Sequence, residues 1–110
     1  VVLLAGADPA LEKTVKHPVF RTHPETGKRA LFVTQAFVER IEGLSDNESQ
    51  EILTKLYAQA SDKKFRYEHK WHNGDMVVWD NRCVQHFAIH DHGDKIRTLH
   101  RITVSGSKPY

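Results

Sequence analysis

Phe65, Tyr67, His69 and Trp71 alternate with Arg66, Glu68 and Lys70, and the run ends at Asn73-Gly74. Period-two alternation puts the first set on one face of an extended strand, and Asn-Gly is the strongest short-range hairpin signal. The pattern predicts a partner strand from Met76 to Trp79. It predicts a second pair near Val84 to Ile89 and Arg97 to Val104, joined by a polar turn through His90 to Lys95. Strands separated by short turns argue for a β-sandwich or jelly roll carrying helical insertions. Four or five such strands alone would expose a long edge and half a core, so the chain reads as incomplete.

The insertion is also legible. Ser45-Asp46-Asn47-Glu48 is a capping box, and Ile52, Leu53, Leu56, Tyr57 and Ala60 then fall on one helical face, predicting an amphipathic helix over 46–60. Residues 1–30 read as loop-rich: they hold Pro9, Pro18 and the Pro24-Glu25-Thr26-Gly27 turn, ahead of the apolar Leu31-Phe32-Val33. Val1 to Ala5 is apolar but short, lacks a basic flank and an initiator Met, and reads as a cut end rather than a signal peptide.

Composition narrows the partners. With 39% hydrophobic and 27% charged residues, the 110-residue chain suits a compact domain rather than a disordered tail or a coiled coil. Its 16 basic and 14 acidic residues are interspersed, so no basic stripe suggests nucleic acid. No stretch approaches the roughly 20 apolar residues of a membrane span, so no membrane partner is expected. The single cysteine, Cys83, excludes an internal disulfide framework and agrees with a reducing, cytoplasmic setting. Between Trp79 and Val84 it is expected to be a buried small hydrophobe rather than a catalytic thiol.

Eight histidines say little by number. His86 is the informative one, because Arg97 and Arg101 follow it on a predicted strand where Arg97, Leu99, Arg101 and Thr103 share a face. The two guanidinium groups would stand about 13 Å apart at the backbone, at a rise of roughly 3.3 Å per residue. Two cations on one face call for carboxylate or oxyanion ligands, which the planar arginine fork binds bidentately. The alternative is a pair of arginines solvated on a sheet surface.

The run "WDNRCVQHFAIHDHGDKIRTLHRITVSGSKP" resembles the end of the taurine dioxygenase family of Fe(II)/2-oxoglutarate-dependent dioxygenases. That family has a Trp-Asp-Asn-Arg stretch, an iron-binding His and two arginines at these offsets. The upstream "HPVFRTHPETGKRALFV" is similar to the family's segment ahead of its helix, so the resemblance covers nearly the whole chain from His17. It implies a mainly β fold with a helical insertion, a double-stranded β-helix or jelly roll. Residues 1–110 would be the C-terminal part of a single dioxygenase domain. It also implies a two-His-one-carboxylate site for Fe(II), with 2-oxoglutarate and O2 as cosubstrates. His86 matches the second histidine of that site, and Arg97 the arginine that binds the distal carboxylate of 2-oxoglutarate. Arg101 matches the arginine for the substrate's anionic group. Phe37, in "LFVTQAFVERI", matches an aromatic of the substrate pocket. The implied reaction is hydroxylation of a small anionic organic molecule, with succinate and CO2 formed from the cosubstrate. Taurine or another alkylsulfonate, losing sulfite, comes first because "LHRITVSGSKP" is closest to that branch; alkylsulfates and aryloxyacetates are the alternatives.

The family's other two iron ligands come from an earlier His-x-Asp motif. His23-Pro24-Glu25 and His92-Gly93-Asp94 imitate it, but the first lies in a turn segment and the second in a hairpin turn. The expectation is that the missing pair precedes this chain, and that the 110 residues alone hold one ligand of three and are inactive and poorly stable. Two readings compete with an enzyme: a zinc module using His86, His90 and His92, and a non-catalytic jelly-roll scaffold. His69, His72 and His100 are expected on strand faces or turns. Homo-oligomerisation is left open.

Overall fold

The computed structural model describes residues 15–110 in full and residues 2–4 as backbone. Five short strands and one long helix order as β1 (Val2–Leu4), β2 (Val15–His17), β3 (Phe20–Thr22), β4 (Arg29–Leu31), β5 (Val38–Ile41) and α1 (Asp46–Ala60). The regular elements of the described residues are therefore mainly strands, with one helix.

Helix α1 coincides with its prediction. Ser45 caps it: its Oγ accepts the Glu48 N–H at 3.4 Å, and the Glu48 carboxylate accepts the Ser45 N–H at 3.0 Å. Asp46 and Glu48 also place negative charge against the first-turn amides. Leu53 enters the core with Val33 and Ile41, and Leu56 and Tyr57 flank it half-buried. Ser49, 2% exposed, accepts the Ile41 N–H at 2.8 Å and so ties the helix to β5. Ser49→Ala would leave that buried N–H without a partner, at an expected cost of about 1–3 kcal/mol in urea unfolding of the full-length protein. A cost below about 0.5 kcal/mol, that of an ordinary surface change, would contradict this.

Within residues 1–30, the described segments depart from the loop-rich expectation by forming β1 to β4. β1 is the middle strand of an antiparallel sheet ordered β2-β1-β5, with Val2 opposite both His17 and Ile41. β3 and β4 form a separate antiparallel pair in which Phe20 faces Leu31 and Thr22 faces Arg29. Three-residue strands between prolines are too short to show a period, and the ladders β1 makes with β2 and β5 are non-local. The β3–β4 connection is a turn closed by His23 N–H to Lys28 C=O at 2.8 Å, with Gly27 at φ 68° supplying the left-handed residue it needs.

The strands predicted between Phe65 and Val104 do not form among the described residues. Lys63–Phe65 is a 3-10 turn capped by Asp62, and the chain beyond it is irregular. The Asn73-Gly74 turn exists, closed by Asp75 N–H to His72 C=O at 3.1 Å, but only Gly74 has positive φ, at 90°. Types I′ and II′, whose twist matches paired strands, need positive φ at Asn73. The turn formed here splays its arms instead. Tyr67, Met76, Ile102 and Val104 are more than four-fifths exposed, so no packed face favours a ladder. Met76–Val78 and His100–Ile102 nonetheless approach across a small cavity of about 330 Å³. The turn expected within His90 to Lys95 is present at His92–Lys95, with Gly93 at φ 56° in the first central position, a hairpin geometry. The last residues lie along β3, where the Thr22 N–H donates to the Tyr110 carbonyl at 2.8 Å and Arg21 to the Ser107 carbonyl at 3.2 Å.

No helix among the described residues is long and apolar enough to cross a membrane.

Candidate functional site

Two turns meet at a largely apolar cleft of about 470 Å³, whose walls include His17, Val33, Phe37, Cys83, Gln85 and His86. One wall follows β4: the Phe37 and Val38 N–H groups both donate to the Thr34 carbonyl, and this turn presents Phe37, 51% exposed, to the cleft. The other wall is the turn over Asp80 to Cys83, in which the Asp80 carbonyl accepts the Cys83 and Val84 N–H groups at 3.1 and 2.9 Å. Gln85 joins the walls, donating from Nε2 to the Val33 carbonyl at 2.6 Å. The next residue is His86, exposed, with its ring centroid 4.6 Å from that of Trp79.

A polar network lies behind the turn. Arg82 donates to Asp80 through its backbone N–H at 2.8 Å, through Nε to both carboxylate oxygens at 2.9 and 3.0 Å, and through Nη2 at 2.7 Å. Its Nη1 reaches Glu25 at 2.8 Å. His23 Nδ1 accepts the Glu25 and Thr26 N–H groups, each at 3.3 Å, so the ring proton sits on Nε2 and is donated to Asp80 at 3.1 Å. The Arg82 side chain, then its backbone N–H, then His23 hold the Asp80 carboxyl far below the usual carboxylate range. Asp80 and Glu25 push the guanidinium above its ordinary value.

Of the residues singled out in the sequence, Phe37 and His86 share the cleft. Arg97 is half-buried and Arg101 exposed, and neither lines it. Without a paired strand over 97–104, nothing enforces the common face expected of them. Cys83 is exposed at the cleft, contrary to the buried position expected, because it closes a turn instead of standing on a strand. His23 and Glu25 are taken up by Asp80 and Arg82. His92 donates from Nδ1 to the Lys95 carbonyl at 3.0 Å, and no metal-binding trio of His86, His90 and His92 is assembled among the described residues. His69 and His72 gather about Asp75 in the Asn73-Gly74 turn, and the hydrogen bond from the His72 N–H leads in drawing the Asp75 carboxyl below its ordinary value.

The described residues alone do not fit a three-ligand iron centre: His86 belongs to no group of three metal-binding side chains. The one such group is His23, Asp80 and Cys83, with donor atoms within 4.8 Å of one another. There the Arg82 guanidinium already holds both Asp80 oxygens, so the protein supplies its own cation. Sequence reasoning missed this network, and also His17, which lines the cleft and whose ring stacks on Phe32 at 5.8 Å. Burial, then Arg21 and Lys108, lower the His17 pKa.

Comparison with known proteins identifies the family of the chain. The alkylsulfatase of Acinetobacter baylyi is 40% identical over 91 residues, 83% of this chain and 28% of that protein. The alpha-ketoglutarate-dependent sulfate ester dioxygenase of Pseudomonas putida is 38% identical over 94 residues, 86% of this chain and 31% of that protein. This chain thus spans under a third of the length of these curated relatives. The crystal structure of a Burkholderia xenovorans protein, assigned as an alpha-ketoglutarate-dependent taurine dioxygenase, superposes with a TM-score of 0.59 at 44% identity, over 60% of this chain and 24% of that one. The family model described as "Taurine catabolism dioxygenase TauD, TfdA family" matches residues 6–103, which takes in Phe37, the Asp80 turn, His86 and both arginines. The chain belongs to the TauD, TfdA family of taurine catabolism dioxygenases.

Proposed function

We propose that the whole protein is an Fe(II)- and 2-oxoglutarate-dependent dioxygenase of a small anionic organic substrate, and that this chain is the C-terminal part of its single double-stranded β-helix domain. The observation that carries the reading is the meeting of Phe37 and His86 on one apolar cleft in a chain of this family. His86 is proposed as one iron ligand, the His-x-Asp pair being supplied from outside the described residues. Bound iron would supply the site's oxygen-activating chemistry. Phe37 and the neighbouring apolar wall would exclude water from the substrate.

Arg97 and Arg101 take the carboxylate of 2-oxoglutarate and the substrate anion in this reading. The His92–Lys95 turn supports it through register. With His92 and Lys95 as closing pair, each residue back along one arm meets one forward along the other, so His90 meets Arg97 and His86 meets Arg101. Residues opposite in an antiparallel pair share a face, so a ladder extended from this turn would bring His86, Arg97 and Arg101 to one side.

Taurine or another alkylsulfonate is the substrate proposed first, in line with the assignment of the Burkholderia protein. Alkyl sulfates are the second reading, favoured by the Acinetobacter and Pseudomonas relatives. Hydroxylation at the carbon bearing the anionic group leads to different leaving groups, which separates them. Full-length protein given Fe(II), O2 and 2-oxoglutarate is expected to release sulfite from an alkylsulfonate. Release of sulfate from an alkyl sulfate, or of a phenol from an aryloxyacetate, without any sulfite would overturn the first choice.

A further inference from the structure

None of His23, Glu25, Asp80 and Arg82 lines the cleft, yet together they fix one of its walls. His23 and Asp80 stand 57 residues apart, one at the end of β3 and the other at the start of the cleft turn, as do Glu25 and Arg82. Residues 80–110 have no strand ladder to hold them. Two polar ties therefore locate the segment before His86: the Asp80 network at its start and the bond from Gln85 to the Val33 carbonyl at its end. We infer that these four residues form a clamp that positions His86 over the cleft, and that His23 and Arg82 are positioning residues for it.

Orientation, more than stability, is what such a clamp supplies. Asp80 and Arg82 side chains are 34% and 29% exposed, and ion pairs open to water to that degree contribute little to folding. Their geometry is nonetheless directional. The guanidinium fork and the Arg82 N–H fix the plane of the carboxylate, leaving it aimed at the His23 Nε2–H. The backbone of the Pro24-Gly27 turn in turn fixes the His23 tautomer. A lysine at 82 would keep the charge and lose the fork. Glutamine at 23 would keep a donor where Nε2–H stands.

The inference rests on His86 being a metal ligand, so its test reads the metal and the ring separately. Full-length protein carrying His23→Ala, His23→Gln or Arg82→Lys would be compared with wild type by anaerobic Fe(II) titration, by the His86 ring resonances of the metal-free protein and by thermal unfolding. His23→Ala and Arg82→Lys are expected to weaken Fe(II) binding roughly 10–100-fold, as loss of a residue that orients a ligand does. The same variants should shift or broaden the His86 ring signals with little change in unfolding midpoint, and His23→Gln should stay close to wild type. Unchanged His86 signals in His23→Ala would overturn the clamp whatever the metal result. So would losses that track the unfolding midpoint with His23→Gln no better than His23→Ala. Wild-type protein that binds no Fe(II) would overturn the proposed function instead.

Discussion

His86→Ala in the full-length protein is expected to weaken Fe(II) binding by more than about 100-fold, since residues that merely orient a metal ligand are worth roughly 10–100-fold. Succinate formation from 2-oxoglutarate should fall with it. The fold should barely respond. His86 is exposed, so truncating it opens no core cavity, and Gln85, which ties the wall to Val33, is untouched. His72→Ala supplies the contrast: the same residue type, exposed, in the Asn73-Gly74 turn and outside the cleft, should leave Fe(II) affinity as in wild type. Anaerobic titration of both variants reads the difference, and equal affinities would remove His86 from the metal site.

Leu53→Ala is expected to be the most destabilising single truncation among the described residues. Val33, Ile41 and Leu53 are the buried hydrophobics among the described residues, and Leu53 is 2% exposed. Removing its side chain forfeits its transfer energy and leaves a cavity, at about 2–5 kcal/mol. The neighbouring Ile52 is 40% exposed, so Ile52→Ala should cost well under half as much. Because Val33 both packs on Leu53 and accepts the Gln85 bond, the loss should reach the cleft as well as the core. Urea unfolding of the two variants checks the first point. Hydrogen exchange at Gln85 and His86 checks the second, and equal midpoints for Leu53→Ala and Ile52→Ala would contradict the packing described.

What could be read in advance follows from how local each feature is. Helix α1 was legible because its cap, charge pattern and apolar face lie within sixteen residues, Ser45 through Ala60. The turns at Asn73-Gly74 and His92–Lys95 were legible for the same reason. Ladders are not local: β1 joins β2 and β5 across connections whose letters carry no period, and β3 and β4 are three residues each. The alternation over Phe65 to Trp71 is real in the sequence, but pairing depends on the sign of φ at Asn73 and on a packed face, neither of which alternation specifies. In the site, Phe37 and His86 came from resemblance to the family, and their meeting in one cleft came from the fold. The clamp was not legible because, although Asp80 and Arg82 pair locally, their bonds to His23 and Glu25 join segments 57 residues apart.

The most direct test is cosubstrate turnover. Full-length protein supplied with Fe(II), ascorbate and 2-oxoglutarate should consume O2 and form succinate in step, with the rate rising when an alkylsulfonate or alkyl sulfate is added. Absence of both O2 uptake and succinate with alkylsulfonates, alkyl sulfates and aryloxyacetates alike would contradict the dioxygenase reading and leave a non-catalytic member of the family.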